Sequence, residues 1–473
     1  MRWAWLVAFA PAGAAWAGGF YVPEVGARAL GMASALTADA GSPAAVFHNP
    51  AGLIGVRTTQ VELGASLVLP QIKYFRRPVR DPGTGTEVNF AGSNNTNGVG
   101  AIPFAAATFD LGLPNLSLGV AVFVPFGATL NYPTEGAQRF VVTDIALRTV
   151  YAGPALAYRV AQRLSVGISL SYVYADFQLR QSNALQFVTG DPEATPNPDP
   201  AVEGHTSLEA RDPFSLGIGA GILYGLPSDA FSIGASVLLP TTLDLRGDAV
   251  VANPSIGAIR QDSGINLPAG SRTDRFGAKV PLPLVLRAGA VVRPSDRISI
   301  ALDVNWQRWS TNKTLVIDFD NEYPLLLTPG ATMSDVVMDN RWRDTLTVRL
   351  GAEGKPLRNL PLVLRAGALY DQSPIEDRRF DLLTPDSDKL GLSAGASYTL
   401  GATTGTRLRL DVGFLQLLFA ERDINPSNQI DASSGRPYPG SDRTILNKPA
   451  PSFFYGVTRA NVRLLSLAMT VLF

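Results

Sequence analysis

The feature that most restricts how this chain can fold is an alternation of apolar and polar residues with period two. Over 465–473 every odd position is apolar (Leu465, Leu467, Met469, Val471, Phe473), while Ser466, Ala468 and Thr470 take even positions. Ile298, Ile300, Leu302, Val304 and Trp306 alternate in the same way with Ser299, Ala301, Asp303, Asn305 and Gln307. Leu346, Val348, Leu350 and Ala352 do so with Thr345, Thr347, Arg349, Gly351 and Glu353. Successive side chains of a strand point to opposite faces, so each run predicts a strand with one apolar face. Similar runs fall at 116–124, 166–174, 231–239, 284–292, 390–400 and 408–416.

A soluble sandwich alternates too, so the connections decide which way the apolar face points. Short turns near 111–115, 159–163, 226–229, 293–297, 355–361 and 401–406 alternate with long polar loops near 71–97, 131–139, 181–206, 248–274, 320–339, 372–387 and 421–449. Six turns and seven loops join fourteen strands. Short turns at one end, long loops at the other and an even strand count predict an all-β, fourteen-stranded antiparallel transmembrane β-barrel of the outer-membrane type. A charged fraction of 17%, against about 25% in soluble proteins, fits a wall with a lipid-facing side.

Composition excludes several chemistries. The net charge is zero and no basic run occurs, so the electrostatic footprint of a nucleic-acid binder is missing. There is no Cys, and His48 and His205 are the only histidines, which leaves almost no material for a metal site, a thiol or a His-relayed nucleophile. No cofactor and no metal are expected. Gly391-Leu392-Ser393-Ala394-Gly395 matches a nucleophile motif, but it falls in mid-strand rather than on a strand-to-helix elbow. Gly217-Ile218-Gly219-Ala220-Gly221 lacks the spacing and the following helix of a nucleotide loop.

The chain divides into three parts. Arg2, the apolar run WAWLVAFA and Ala15-Trp16-Ala17 predict a secretory signal peptide over 1–17, cut after Ala17. The apolar run stops at Pro11, short of the roughly 20 residues a spanning helix needs. Residues 18–55 are rich in Gly and Ala, show no long alternation and carry the turn signal His48-Asn49-Pro50. A piece this small holds no core of its own, so it is expected to sit inside the barrel formed by 56–473 as an N-terminal hatch. Two stretches, 282–290 and 360–368, both read LPLVLRAGA and are expected to be lumen-facing strands running in opposite directions.

The residues resemble the FadL/TodX family of outer-membrane transporters for long-chain fatty acids and other hydrophobic molecules. The match covers essentially the whole mature chain. It is carried by Gly19-Phe20, the small-residue stretch 26–41, Asn49-Pro50-Ala51, Val124-Pro125-Phe126-Gly127, DVNWQRW at 303–309, WRDTLTVRLG at 342–351, LRAGALYDQSP at 364–374 and LSAGASYTL at 392–400. The terminal Phe473 resembles the C-terminal signal read by the barrel assembly machinery. The resemblance implies a barrel closed by an N-terminal hatch, substrate capture in an external groove, transfer to an interior pocket, and lateral release into the membrane at a kink of the third strand. It implies a hydrophobic small-molecule ligand, contact with outer-membrane lipid, and a monomer.

Site expectations follow from both readings. Phe20, His48, Asn49, Pro50 and Ala51 are candidates for substrate contact or gating. Pro125, placed inside a third strand over 116–128, removes a ladder hydrogen bond, so Pro125, Phe126 and Gly127 mark either the lateral opening or a bulge at the rim. By parity, Arg287, Arg349, Arg365, Arg407 and Arg409 face the lumen with Asp303, Glu353 and Asp411. They form either an ion-pair lattice bracing hatch and wall, or leave one Arg for a substrate carboxylate. Trp306, Trp309, Trp342 and Tyr74 are expected in interfacial aromatic girdles. The function expected is passive uptake of fatty acids or similar compounds across the outer membrane. Alternatives are uptake of monoaromatic hydrocarbons, a general diffusion porin, or a lipid hydrolase.

Overall fold

The computed structural model describes residues 19–473 except 57, 81–85, 96–99, 185–202, 226–227, 254–269, 322, 325–331, 334, 358, 378–379, 381, 402–404 and 425–454. The signal peptide and part of most of the long loops lie outside the described residues. Fourteen strands build one closed antiparallel wall. They are β1 (Gln60–Arg76), β2 (Gly100–Phe109), β3 (Leu116–Phe123 and Gly127–Asn131), β4 (Asp144–Ala161), β5 (Leu164–Ala184), β6 (Glu203–Tyr224) and β7 (Phe231–Leu238 and Thr241–Asn253). There follow β8 (Gly270–Leu282 and Val285–Ser295), β9 (Ile298–Gln307 and Thr314–Phe319), β10 (Val336–Asp339 and Thr345–Gly354), β11 (Leu362–Asp371), β12 (Lys389–Leu400), β13 (Arg407–Phe419) and β14 (Gly456–Leu472). Each strand pairs with its sequence neighbours, and β1 pairs with β14 from Gln60↔Leu472 to Arg76↔Gly456, which closes the seam.

The alternation read from sequence sorts the side chains. Leu63 and Leu67 of β1 and Leu465, Leu467 and Met469 of β14 are exposed on the outer face, while Ser66 donates a 2.9 Å hydrogen bond to Ser466 inside. Strands run past the apolar stretches: β1 continues through 71–76, a loop by sequence, because a hydrogen-bond ladder persists beyond the membrane without apolar side chains. The LPLVLRAGA copies lie on β8 and β11, which run in opposite directions with β9 and β10 between them.

Residues 19–56 are buried within the wall, and they contain two short helices, α1 (Ala27–Gly31) and α2 (Ala45–His48), and a 3-10 turn at Pro50–Gly55. α1 lies against β12 and β13, and the 3-10 turn against β4, β5 and β6. Their backbone approaches the wall so closely that only glycine fits below them. A Cβ at Gly167 would lie 2.4 Å from the Ala51 nitrogen, at Gly234 2.4 Å from the Thr37 oxygen, and at Gly413 2.4 Å from the Ala27 oxygen. The glycine of each LRAGA copy also leaves needed room, since a Cβ at Gly289 would meet the Asp303 carboxylate (2.1 Å) and Thr37 (3.0 Å), and one at Gly367 the Ser393 hydroxyl (2.7 Å), Met32 (2.8 Å) and Ala33 (2.9 Å). The repeat is therefore a seat for the N-terminal segment.

Candidate functional site

The sequence Val124-Pro125-Phe126 interrupts β3. Its lower part pairs with β2 only from Ala105↔Val122 to Phe109↔Leu118, so the described β2 residues Gly100 to Phe104 have β1 as their strand partner and none on β3. The third strand is thus two pieces, correcting the continuous strand expected over 116–128. Proline cannot donate to a ladder, and the freed groups are taken by the N-terminal segment. The Val22 amide donates to the Pro125 oxygen (2.7 Å) and the Gly127 amide to the Phe20 oxygen (2.8 Å), with Tyr21 bridged to Phe126. Thr149 of β4 holds the Phe126 oxygen from the other side. Phe20, Pro125, Phe126 and Gly127, four of the residues singled out from sequence, meet at this point.

Aromatic side chains surround the break. Phe20 packs edge-on to Trp309 with ring centres 4.8 Å apart, 5.8 Å from Trp342 and 6.4 Å from Phe126. Such geometries favour aromatic pairs beyond the area they bury. Phe47, Phe123 and Tyr151 continue the cluster toward β4, at 5.1 and 5.6 Å. Trp309, Trp342 and Tyr74 are buried and do not stand in an interfacial girdle; Trp306 alone of the four lies on the outer face. The reason is local. Trp309 keeps the inward parity of Asp303, Asn305 and Gln307 past the first piece of β9, and from the 3-10 turn at Trp309–Thr311 its indole donates to the Gln307 side chain (2.9 Å). Arg341 adopts a left-handed φ of 37°, which leaves Arg341 exposed and Trp342 buried. A cleft of about 580 Å³ at the long-loop end is lined by Ser310, Lys313, Thr314, Val337, Arg341 and this same tryptophan.

The charged lumen residues occupy the opposite side. Arg365 bonds Glu353 (3.0 Å) and Asp411 (3.1 Å), Arg409 bonds Asp411 (2.8 Å), and Arg28 of α1 bonds Glu353 (2.9 Å) and Asp39. Arg349 bonds Glu24 (3.1 Å) and the Ala33 oxygen (2.9 Å), all within the buried interior. Asp303 accepts from the Thr37 amide (2.8 Å). Arg407 has the expected parity, but it is exposed at the short-turn rim, at the first residue of its strand and beyond the lattice. Arg287 differs from all of these. It is buried, it donates to the Tyr21 hydroxyl (2.6 and 3.1 Å), and its guanidinium lies 4.6 Å from the centre of the Phe47 ring. Among the described residues no carboxylate pairs with it.

Asn49 anchors the segment to the wall. Its amide donates to the Thr37 oxygen (2.8 Å) and to the Ile222 oxygen of β6 (3.1 Å), and its oxygen caps the 3-10 turn by accepting from the Ala51 amide (3.1 Å). Pro50 begins that turn, where a missing N–H costs nothing. His48 contacts the Val25 oxygen (3.3 Å). Burial, reinforced by the Arg287 charge, lowers its pKa from 6.5 to about 3. The ring is neutral across the physiological range, so His48 does not sense protons there. The folded state disfavours the charged ring, so its contribution to stability is intact above pH 6.5 and falls as pH drops toward 3. At pH 5 the loss comes to about 2 kcal/mol. Protection factors of 19–56, taken relative to the intrinsic amide exchange rate at each pH, are therefore expected to be lower at pH 5 than at pH 7, and His48→Gln should remove the difference.

Sequence reasoning missed Trp309 and Trp342 as neighbours of Phe20, and Tyr21 and Glu24 as partners of Arg287 and Arg349. Only the QRW turn after one alternating run and the NRWRD turn before the next signalled Trp309 and Trp342.

Comparison with known proteins agrees with this architecture. The long-chain fatty acid transport protein of Escherichia coli O6:H1 is 24% identical over 412 residues, 84% of this chain and 86% of that one. The crystal structure of a Pseudomonas aeruginosa FadL homologue superposes with a TM-score of 0.75 at 18% identity, covering 96% of this chain and 99% of that chain. The P. putida toluene transporter TodX superposes with a TM-score of 0.64 at 16% identity, covering 94% and 98%. The family model for outer membrane protein transport proteins (OMPP1/FadL/TodX) matches residues 8–444, and the chain belongs to this family of outer-membrane β-barrels that transport hydrophobic compounds and are channels rather than enzymes.

Proposed function

We propose that the protein takes up long-chain carboxylic acids passively, with Arg287 receiving the carboxylate and the break in β3 serving as the exit into the membrane. The observation that carries the reading is the buried Arg287 with no carboxylate partner among the described residues, set at the edge of an aromatic cluster. A buried guanidinium bonded to a neutral phenol gains from an ionised acceptor, whose charge-assisted bonds are about twice as strong. The cleft lined in part by Trp342 offers a way in, and the aromatic cluster around Phe20 offers a dry path to the wall gap. A hydrocarbon chain in a water-filled pore would forfeit about 0.8 kcal/mol per exposed CH₂. The ion-pair lattice on the β10–β14 side makes that side unsuited to such a chain. Segment 19–56 acts as the hatch, and its first residues cover the gap until they move.

A neutral monoaromatic hydrocarbon is the second reading, favoured by the edge-on Phe20–Trp309 pair, which is itself an arene held in an aromatic pocket. Arg287→Met separates the two. Binding of a labelled oleate to the purified protein is expected to weaken about tenfold while binding of toluene stays unchanged. Unchanged oleate binding would refute the carboxylate role. A steady ion conductance of the unmodified protein in planar bilayers would favour a diffusion porin.

A further inference from the structure

On the lipid-facing side of the seam between β14 and β1, the apolar belt ends in a cluster of cations. Outward from the membrane, β1 presents Leu67 and Leu69, then Gln71, Lys73 and Phe75, while β14 presents Leu467 and Leu465, then Arg463, Asn461 and Arg459. In the ladder Arg463 stands opposite Leu69, and Arg459 stands directly opposite Lys73. Directly opposed residues have Cβ atoms roughly 5 Å apart, and like charges so placed are destabilising. Arg459 is compensated by Glu421 and lies over the Phe75 ring. Arg77 and Asp423, close by on the same strand ends, neutralise each other. Lys73 and Arg463 have no carboxylate partner among the described residues, and Arg463 bonds only the Gln416 amide oxygen (3.1 Å). The face keeps an excess of positive charge immediately above the leucine belt.

We infer that this face binds the phosphate groups of an outer-leaflet lipid. Two uncompensated cations at the upper edge of an apolar belt match a molecule that has anionic oxygens and acyl chains joined end to end. Lys73 and Arg463 hold the phosphate oxygens by charge-assisted hydrogen bonds, and the chains lie along Leu67, Leu465 and Leu467 below. The phosphate removes the repulsion between Lys73 and Arg459. A free phosphate ion would use the charges but not the leucines, and this is why a lipid is the occupant. The site lies outside the barrel, and it depends on membrane location alone, independent of what the lumen carries.

The test uses the full-length folded protein in detergent micelles, with lipid A bearing both phosphates and enzymatically dephosphorylated lipid A as probes, read by native mass spectrometry. The bisphosphorylated lipid is expected to bind the unmodified protein, and Lys73→Gln/Arg463→Gln should weaken it about tenfold. The dephosphorylated lipid should bind both proteins weakly and alike. Heating supplies a second sign: in plain detergent Lys73→Gln relieves a repulsion and raises the unfolding midpoint, whereas with lipid A present it lowers it. Equal binding of the two lipids, an unaffected double variant that migrates as a folded barrel, or midpoints that move the same way in both media would overturn the inference. So would displacement of lipid A by millimolar inorganic phosphate, which would make this a site for a free anion.

Discussion

Deleting Pro125 is expected to seal the wall between β2 and β3 and to lower uptake of a labelled fatty acid by at least about tenfold, with the barrel still folded. The register gives the reason. On β3 the step from Phe123 to Gly127 is four residues, and on β4 the matching step from Tyr151 to Arg148 is three. One residue is therefore in excess, and the inward side chains change parity, from Ala121 and Phe123 before the break to Ala128 and Leu130 after it. Removing one residue equalises the two steps and restores a single alternation, so β3 can continue along β2. Pro103 on β2 leaves one rung unmade, and the others have donors. A sealed wall sends the ligand through water. Leaving only two methylenes wet costs about 1.6 kcal/mol, which is already more than tenfold in rate. Normal uptake through a correctly inserted deletion variant would remove the lateral exit from consideration.

The second large effect is expected at Glu24. Glu24→Gln should release the hatch, seen as rapid hydrogen exchange of 19–56 and as ion conductance in bilayers from an otherwise stable barrel. Glu24 and Arg349 are each 1% exposed, and removing one member of such a buried pair costs about 3–5 kcal/mol. The two members are not equivalent. A guanidinium cannot give up its proton, so Glu24→Gln leaves a buried charge whose acceptors, the Ala33 oxygen and the Asn305 side chain, are neutral. Burial already raises the pKa of Glu24, and without Arg349 the carboxyl takes up a proton and becomes neutral. Arg349→Met should therefore loosen the hatch less than Glu24→Gln, and combining the two substitutions should recover part of the loss. An equal effect of both single substitutions would count against the charge argument and leave only a packing role.

Much of the wall is legible in the residue pattern alone, because a barrel strand exposes one face to lipid and period two is a direct record of that. The same parity places Arg287, Arg349, Arg365, Arg409, Asp303, Glu353 and Asp411 on the inner face, where they stand. It fails where the chain leaves strand geometry. Trp342 follows a strand interruption where the left-handed Arg341 resets the direction of the side chain, so it cannot be placed by counting in twos from β10, whereas Trp309 keeps the inward parity of Gln307. Aromatic residues near strand ends are common in girdles, which is the expectation for Tyr74; it sits instead on an inward position of β1 and donates to the Tyr455 oxygen (3.0 Å). Glycines inside LRAGA read as weak strand residues in the sequence. Their reason lies partly in Thr37, Met32 and Ala33 of the distant N-terminal segment, which no local pattern records.

By itself, then, the sequence determined the barrel, its number of strands, the face that side chains take along the regular strand runs, and the absence of material for metal or thiol chemistry, since all of these follow from local period and residue type. Only the tertiary structure decided which inward cation has no carboxylate partner among the described residues, because pairing depends on what lies across the lumen. Glu24, Asp411 and Glu353 reach Arg349 and Arg365 from distant parts of the chain, and none reaches Arg287. It also decided that the first residues of the N-terminal segment complete the broken third strand, a contact between Phe20 and Gly127 that exists because a proline left backbone groups without partners inside a closed wall.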